Sequence, residues 1–191
     1  MTNPRPGRPV HLTISGELGS GKTSVAQGLS ATLGFEIVST GAIQRSIAVS
    51  LGLTTLEANI LAERDKSIDD KIDGHTVRIA REAAKPVIFD SRMAWFFVPD
   101  ALKIQLTVDP MMAAERIHGR GPGAAEAYSC PTEAAERIRE RAASETRRFL
   151  DRYGVDISDS GNFDIVLDTT SLAPEDCVSR IVSAYARAKL T

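Results

Sequence analysis

Gly16-Glu17-Leu18-Gly19-Ser20-Gly21-Lys22-Thr23 matches G-x-x-x-x-G-K-[ST] at every fixed position, the pattern of a phosphate-binding loop. Its surroundings agree. Val10-His11-Leu12-Thr13-Ile14 alternates as a strand does, and Val25, Leu29 and Leu33 recur four apart, on one face of a helix. Strand, glycine loop and helix together let backbone N–H groups and the positive helix end converge on an anion. In that setting Gly16, Glu17, Leu18, Gly19, Ser20, Gly21, Lys22, Thr23 and Ser24 form a nucleotide triphosphate site, Lys22 reaches the β- and γ-phosphates, and the Thr23 hydroxyl ligates Mg²⁺. A glycine-rich turn that merely fits the pattern is the alternative reading.

Working outward, the remaining pattern alternates strands with helices. Short strands are expected at Phe35–Ser39, Val87–Phe89, Leu102–Val108 and Phe163–Leu167. Helices are expected from Gly41 to Leu51, from Thr54 towards Glu63, and from Ser67 to about Ala84; the last two are placed by the capping-box spacings Thr54/Glu57 and Ser67/Asp70. Further helices should run from Met111 to His118, from Thr132 to Tyr153 and from Pro174 onward. This order predicts a three-layer α/β/α fold with a central parallel sheet of about five strands. Ligands then sit outside the carboxyl ends of the strands.

The 191 residues suit one domain, with residues 1–9 a flexible tail, about 40–85 acceptor-binding helices and about 116–131 a mobile lid. A formal net charge of −2 argues against bulk binding to a nucleic acid polymer or an anionic membrane. Cys130 and Cys177 show no zinc or disulfide pattern, so reduced thiols and a cytoplasmic location are expected. A monomer is expected, and a dimer is compatible with the sequence. His11, His75 and His118 share no ligand spacing and read as packing or surface residues.

Candidate site residues gather at the strand ends. Asp90 follows Val87-Ile88-Phe89 as a carboxylate that supports Mg²⁺, or else caps the next turn. Arg45 and Arg92 offer guanidinium forks to a second anion, the acceptor phosphate. Arg116 and Arg120 lead into the loop Gly119–Gly123, and Arg141 and Arg148 recur on the long helix beyond it. A flap carrying arginines suits phosphoryl transfer, because it excludes water and spreads positive charge over the transferring group. The same arginines could instead pair with Glu133, Glu136, Glu140 and Glu145 one turn away. Trp95, Phe96 and Phe97 read as core rather than as a base-stacking platform.

Taken in order, the phosphate loop, Ser39-Thr40-Gly41-Ala42-Ile43-Gln44-Arg45, Asp90-Ser91-Arg92-Met93-Ala94, Ala114-Glu115-Arg116-Ile117, Ser144-Glu145 through Arg148, and Tyr153-Gly154-Val155-Asp156 resemble the cytidylate kinase family. The resemblance is greatest to its short, archaeal-type branch and runs from Val10 to about Tyr185. It implies a P-loop nucleoside monophosphate kinase that moves the γ-phosphate of ATP to CMP, dCMP or a modified pyrimidine nucleotide, with Mg²⁺. By position, Ser39, Gly41, Gln44, Arg45, Asp73, Arg92 and Asp156 would bind the acceptor, and Lys22, Arg116, Arg120, Arg141 and Arg148 would act in catalysis. Gln44 stands where that family usually has phenylalanine, Trp95 where it has glycine, Ala142 where it has glutamate and Arg152 where a second tyrosine is common. Gln44 and Trp95 should therefore reshape the acceptor pocket. A nucleoside or small-metabolite kinase, and a non-catalytic ATP-dependent switch, are the competing functions.

Overall fold

The computed structural model describes residues 10–53, 55–119 and 130–188. Five strands, β1 (Leu12–Gly16), β2 (Glu36–Ser39), β3 (Val87–Asp90), β4 (Leu102–Thr107) and β5 (Ile165–Asp168), form one parallel sheet in the order β2-β3-β1-β4-β5. The helices are α1 (Lys22–Leu33), α2 (Thr40–Ser50), α3 (Thr55–Arg64), α4 (Lys66–Glu82), α5 (Ala94–Phe97), α6 (Pro110–His118), α7 (Pro131–Tyr153) and α8 (Pro174–Ala188). No helix of the described residues is long and apolar enough to cross a membrane.

Alternation along the strands sends side chains into two cores. Leu12, Ile14, Ile88, Ile104 and Leu106 meet Val25 and Leu29 of α1 and Val178, Ile181 and Tyr185 of α8. Val87 and Phe89 point the other way, onto Ala94 and Val98, with Ile79 and Ala80 of α4 packed alongside. A third cluster joins α6 to α7 through Ala113, Ala114, Ile117, Ala134, Ala135 and Ile138. Phe89 is fully buried, and truncating a phenylalanine in such a place costs about 3–5 kcal/mol.

Most boundaries follow local chemistry. Gly34 ends α1 in the left-handed region (φ 70°), donating its N–H to Ser30 O. Asp109 caps α6 by accepting from Met111 N and Met112 N, with Pro110 in the first turn. The expected cap at Ser67 is corrected: Asp65 caps α4 and Ser67 N donates to its Oδ1 at 2.9 Å, because the chain turns helical two residues earlier. The expected cap at Thr54 lies outside the described residues. The strand expected from Phe163 begins at Ile165, after a 3₁₀ turn at Ser160–Asn162. The aromatic run Trp95-Phe96-Phe97 forms a short helix in which Trp95 is buried, as core, whereas Phe96 is exposed.

The connection leaving β1 runs outward to β2, whereas the one leaving β3 returns past β1 to β4. Their carboxyl ends therefore flank a crevice, where such sheets bind ligands.

Candidate active site

The phosphate-binding loop opens at the end of β1. Gly16 has φ 147°, and a Cβ there would stand 2.3 Å from Leu106 O; at Gly19 (φ 81°) a Cβ would meet Ala113 at 2.8 Å. Both positions require glycine sterically as well as conformationally. Lys22 Nζ donates to Gly16 O at 2.6 Å and Glu17 O at 3.2 Å, so the ammonium lies across the loop mouth. Burial pulls its pKa down to about 7, and the nearby Arg92 cation adds to the fall against the opposing pull of Asp90 and Glu145.

One cleft collects most of the expected residues. Glu17, Leu18, Gly19, Gly21, Lys22, Thr23 and Ser24 line one wall; Ser39, Gly41, Gln44, Arg45, Asp73, Asp90, Arg92, Arg141 and Arg148 line the rest. Ser20 is buried, its hydroxyl donating to Glu17 O at 2.7 Å, and Gly16 lies beneath the loop. Ser39 caps α2, accepting from Ala42 N, and Gly41 leaves room for the Arg45 guanidinium to fold back over it. Arg92 donates to Gly16 O at 3.1 Å and pairs with Glu145. Arg141 Nε donates to Glu145 Oε1 at 2.9 Å.

Glu145 is therefore the hub of the arginine wall, a role that sequence reading divided between surface pairing and function. It is 4% exposed. Burial alone would raise its pKa, and the Arg92 and Arg141 guanidiniums more than reverse this, holding the carboxyl below its ordinary range. Asp69 is the second buried acid that the sequence reading missed. Its Oδ2 stands 3.7 Å from Arg148 Nε, too far for a hydrogen bond, and neither atom has a hydrogen-bond partner among the described residues. Burial pushes the Asp69 carboxyl up, against the opposing Arg148 charge. The signal for Asp69 was its spacing to Asp73, one turn on along α4.

At the strand ends, Thr23 Oγ1 donates to Asp90 Oδ2 at 3.2 Å, and Ser39 Oγ stands 3.5 Å from the same oxygen. A hydroxyl and a carboxylate converging at a phosphate loop are the hard oxygen donors that Mg²⁺ takes. The residues fit that ion.

Two expected residues lie elsewhere. Arg116 belongs to a second cavity beyond the loop, lined also by Gly21, Ser24, Thr169, Leu172 and Pro174. Its guanidinium donates to Thr169 O at 2.7 Å and to Gly19 O at 3.3 Å, tying the loop to the segment after β5. Asp156 does not reach the cleft: its carboxylate is exposed and caps a turn, accepting from Ser158 N at 2.8 Å and Ser158 Oγ at 2.6 Å. Arg120 lies outside the described residues. Trp95 also departs from expectation. It packs against Phe163 and donates from Nε1 to Arg92 O at 2.8 Å, so it braces the arginine backbone instead of filling the cleft.

A model of the cytidylate kinase-like family matches residues 11–171. The chain is 38% identical over 175 residues to a cytidylate kinase of Sulfurisphaera tokodaii, covering 91% of this chain and 93% of that protein. It is 37% identical over 180 residues to a cytidylate kinase of Natronomonas pharaonis, covering 92% and 90%. Its fold is like that of a shikimate kinase of Bacteroides thetaiotaomicron, with TM-score 0.62 at 12% identity, over 93% of this chain and 98% of that one. A phosphate loop facing an arginine wall is the setting in which this kinship appears: the chain belongs to the cytidylate kinase-like family, nucleoside monophosphate kinases built on a P-loop fold.

Proposed function

We propose that this kinase phosphorylates CMP and dCMP with ATP, giving the nucleoside diphosphate and ADP. The observation that carries the reading is the pair of opposed anion sites: the loop and Lys22 on one wall, and Arg45, Arg92, Arg141 and Arg148 on the other. Two polyanions laid end to end across this cleft meet between them. The acceptor phosphate oxygen attacks the γ-phosphorus while the bond to the bridging oxygen of ADP breaks. An acceptor phosphate is already anionic, so no general base is required, and Asp90 is left to its Thr23 contact. A hydroxyl-bearing metabolite would need such a base and would have less use for four guanidiniums.

Lys22 reaches the donor phosphates by leaving Gly16 O, and an anion at the loop restores its full charge. Thr23 and Asp90 would hold Mg²⁺, which when bound would offset the charge of the donor phosphates. Arg116 and the second cavity suit the donor nucleoside, since the first cleft is taken by the acceptor.

Base choice rests on α4. Asp69 and Asp73 present carboxylates to the cleft beside Thr76 and Gln44. Ionised carboxylates only accept hydrogen bonds, so they favour a base with an amino group over one with a carbonyl in its place. A coupled ADP-release assay over CMP, dCMP, UMP, AMP and TMP tests the reading. CMP and dCMP should have the highest kcat/KM; a clear preference for AMP, or turnover of shikimate or gluconate instead, overturns it. A modified pyrimidine nucleotide is the second reading, favoured by Gln44, which lines the cleft with both a donor and an acceptor. A preference for such a nucleotide over CMP would select it.

A further inference from the structure

The last turn of α7 makes a connection to α4 that neither phosphoryl transfer nor charge neutralisation uses. Arg152 Nε donates to the Tyr153 hydroxyl at 2.7 Å, and Tyr153 donates in turn to Asp73 Oδ2. The same guanidinium donates to Asp70 Oδ1 at 2.6 Å and to Lys66 O at 3.2 Å, so its position is fixed from α4. The phenol cannot drift either, because its ring is enclosed by Phe96, Phe97 and Phe149 at centroid distances of 5.7, 5.5 and 6.1 Å. A donor fixed on the phenol oxygen directs the phenol proton to the carboxylate. Asp73 Oδ2 is thereby occupied, and a base entering the cleft is left with Oδ1.

We propose that Arg152 is a positioning residue for acceptor selection: acting through the Tyr153 hydroxyl, it keeps Asp73 ionised and oriented to accept from the exocyclic amino group of the acceptor base. This rests on the CMP reading above. Without the chain Arg152–Tyr153–Asp73, the half-buried carboxyl takes up a proton more readily, and a protonated Asp73 donates to a carbonyl such as O4 of uracil. Selection between amino and carbonyl bases thus follows the proton on one side chain.

Burial raises the Asp73 carboxyl to about 6, opposed by the Tyr153 hydrogen bond and the Arg152 charge. The groups facing it are Asp69 and Asp70 on its own helix, Tyr153 and Arg152 on α7 with Arg148 paired to Asp69, and Arg78, Arg81 and Glu82 along the outer groove. Arg45 of α2 shares the cleft, and α5 presents only Phe97 there. Asp69 and Asp70 push the Asp73 proton on; Arg152 and Tyr153 pull it off.

The test compares wild type, R152Q, Y153F and the double variant by kcat/KM for CMP and for UMP across pH. Taking the CMP/UMP ratio cancels the ionisation of the acceptor's own phosphate. In wild type the ratio should fall as pH drops through about 6. In R152Q the fall should begin about one pH unit higher, through KM for CMP, because the cation that favours the carboxylate and the donor that directs the phenol proton to it are gone. Y153F, which keeps the ring packing, should shift the fall in the same direction, and the double variant should go no further. Ratios with one shared pH profile, or losses in kcat equal for both nucleotides, overturn the proposal. Should wild type turn over neither nucleotide, the parent reading fails instead. The positioning claim is then decided by carboxyl-carbon NMR titration of Asp73 in wild type and Y153F, where an unmoved midpoint defeats it.

Discussion

On the proposed reading, the two walls of the cleft would hold anions by different means. On the loop wall, backbone N–H groups and one lysine do the work, and steric limits at Gly16 and Gly19 fix the geometry. On the opposite wall side chains would do it, and their charges are balanced by buried acids: Glu145 pairs with Arg92, far off in the chain, and with Arg141 one turn back on α7, while Asp69 lies beside Arg148. A backbone site keeps its shape when empty. A side-chain site keeps its shape only while every charge has a counterpart, which makes it the more easily broken of the two.

Removing the hub of the second wall should therefore have the largest effect. Glu145→Ala leaves Arg92 and Arg141 facing each other in a buried site, and loss of one partner of such a cluster costs about 3–5 kcal/mol of stability. Chemical denaturation should report that loss, and added CMP or inorganic phosphate should restore part of it by replacing the missing negative charge. A variant as stable as wild type would mean that the arginines do not depend on Glu145.

The loop wall should respond in the opposite way. Lys22→Ala removes a charge realised fully only with phosphate present, so kcat should fall by about 10²–10³-fold. Stability of the empty protein should not drop, because burying the ammonium already disfavours its charged form. Thermal unfolding beside the activity assay checks both halves. An unfolded variant, or a folded one with full activity, would erase the contrast between the walls.

This contrast also explains what could be read in the sequence. The loop was legible because its chemistry is local: eight consecutive residues between a strand and a helix state the site completely. The sheet was legible for a related reason, since short apolar runs such as Val87-Ile88-Phe89 carry their burial in their composition. Arg45 and Arg92 were legible as guanidinium forks near strand ends, and Gln44 came with the family resemblance. The buried acids did not, because a glutamate on a charged helix looks the same whether it faces water or an arginine 53 residues away, as Glu145 faces Arg92. Trp95 misled for the same reason. Its sequence neighbours place it beside the acceptor cleft, but its indole turns to Phe163 and the Arg92 carbonyl.

A smaller effect sharpens the account of Lys22. With its pKa near 7 in the empty site, the lysine is mostly neutral at pH 8 and must take up a proton when a triphosphate binds. Calorimetry of ATP binding in buffers of different ionisation enthalpy should show uptake of close to one proton at that pH. Affinity should weaken by up to about 1.4 kcal/mol per pH unit above 7, and Lys22→Ala should abolish both signals. Proton-neutral binding would mean that the empty-site ammonium is already charged.

The smallest effect expected lies away from both walls, at His11, just before β1. His11 Nδ1 accepts from Val87 N at 3.1 Å while Nε2 donates to Ala80 O at 3.1 Å, a pattern that only a neutral ring can complete. Burial lowers its pKa below 6.5, with the Ala80 contact opposing. A histidine held neutral contributes stability that is fully present above its unfolded pKa, and that is lost as pH falls from about 6.5 through the folded value. The slope cannot exceed about 1.4 kcal/mol per pH unit for one proton. Asp73 acts with the opposite sign: its raised pKa stabilises the fold at low pH and loses that contribution as pH rises through about 6. Between pH 6.5 and the folded value of His11 the two partly cancel, so wild type alone will show a shallow dependence. Denaturation of Asp73→Asn across this range removes the opposing proton and should expose the steeper acid loss due to His11. If that variant is as flat as wild type, the neutral histidine bridge between β3 and α4 is not what titrates.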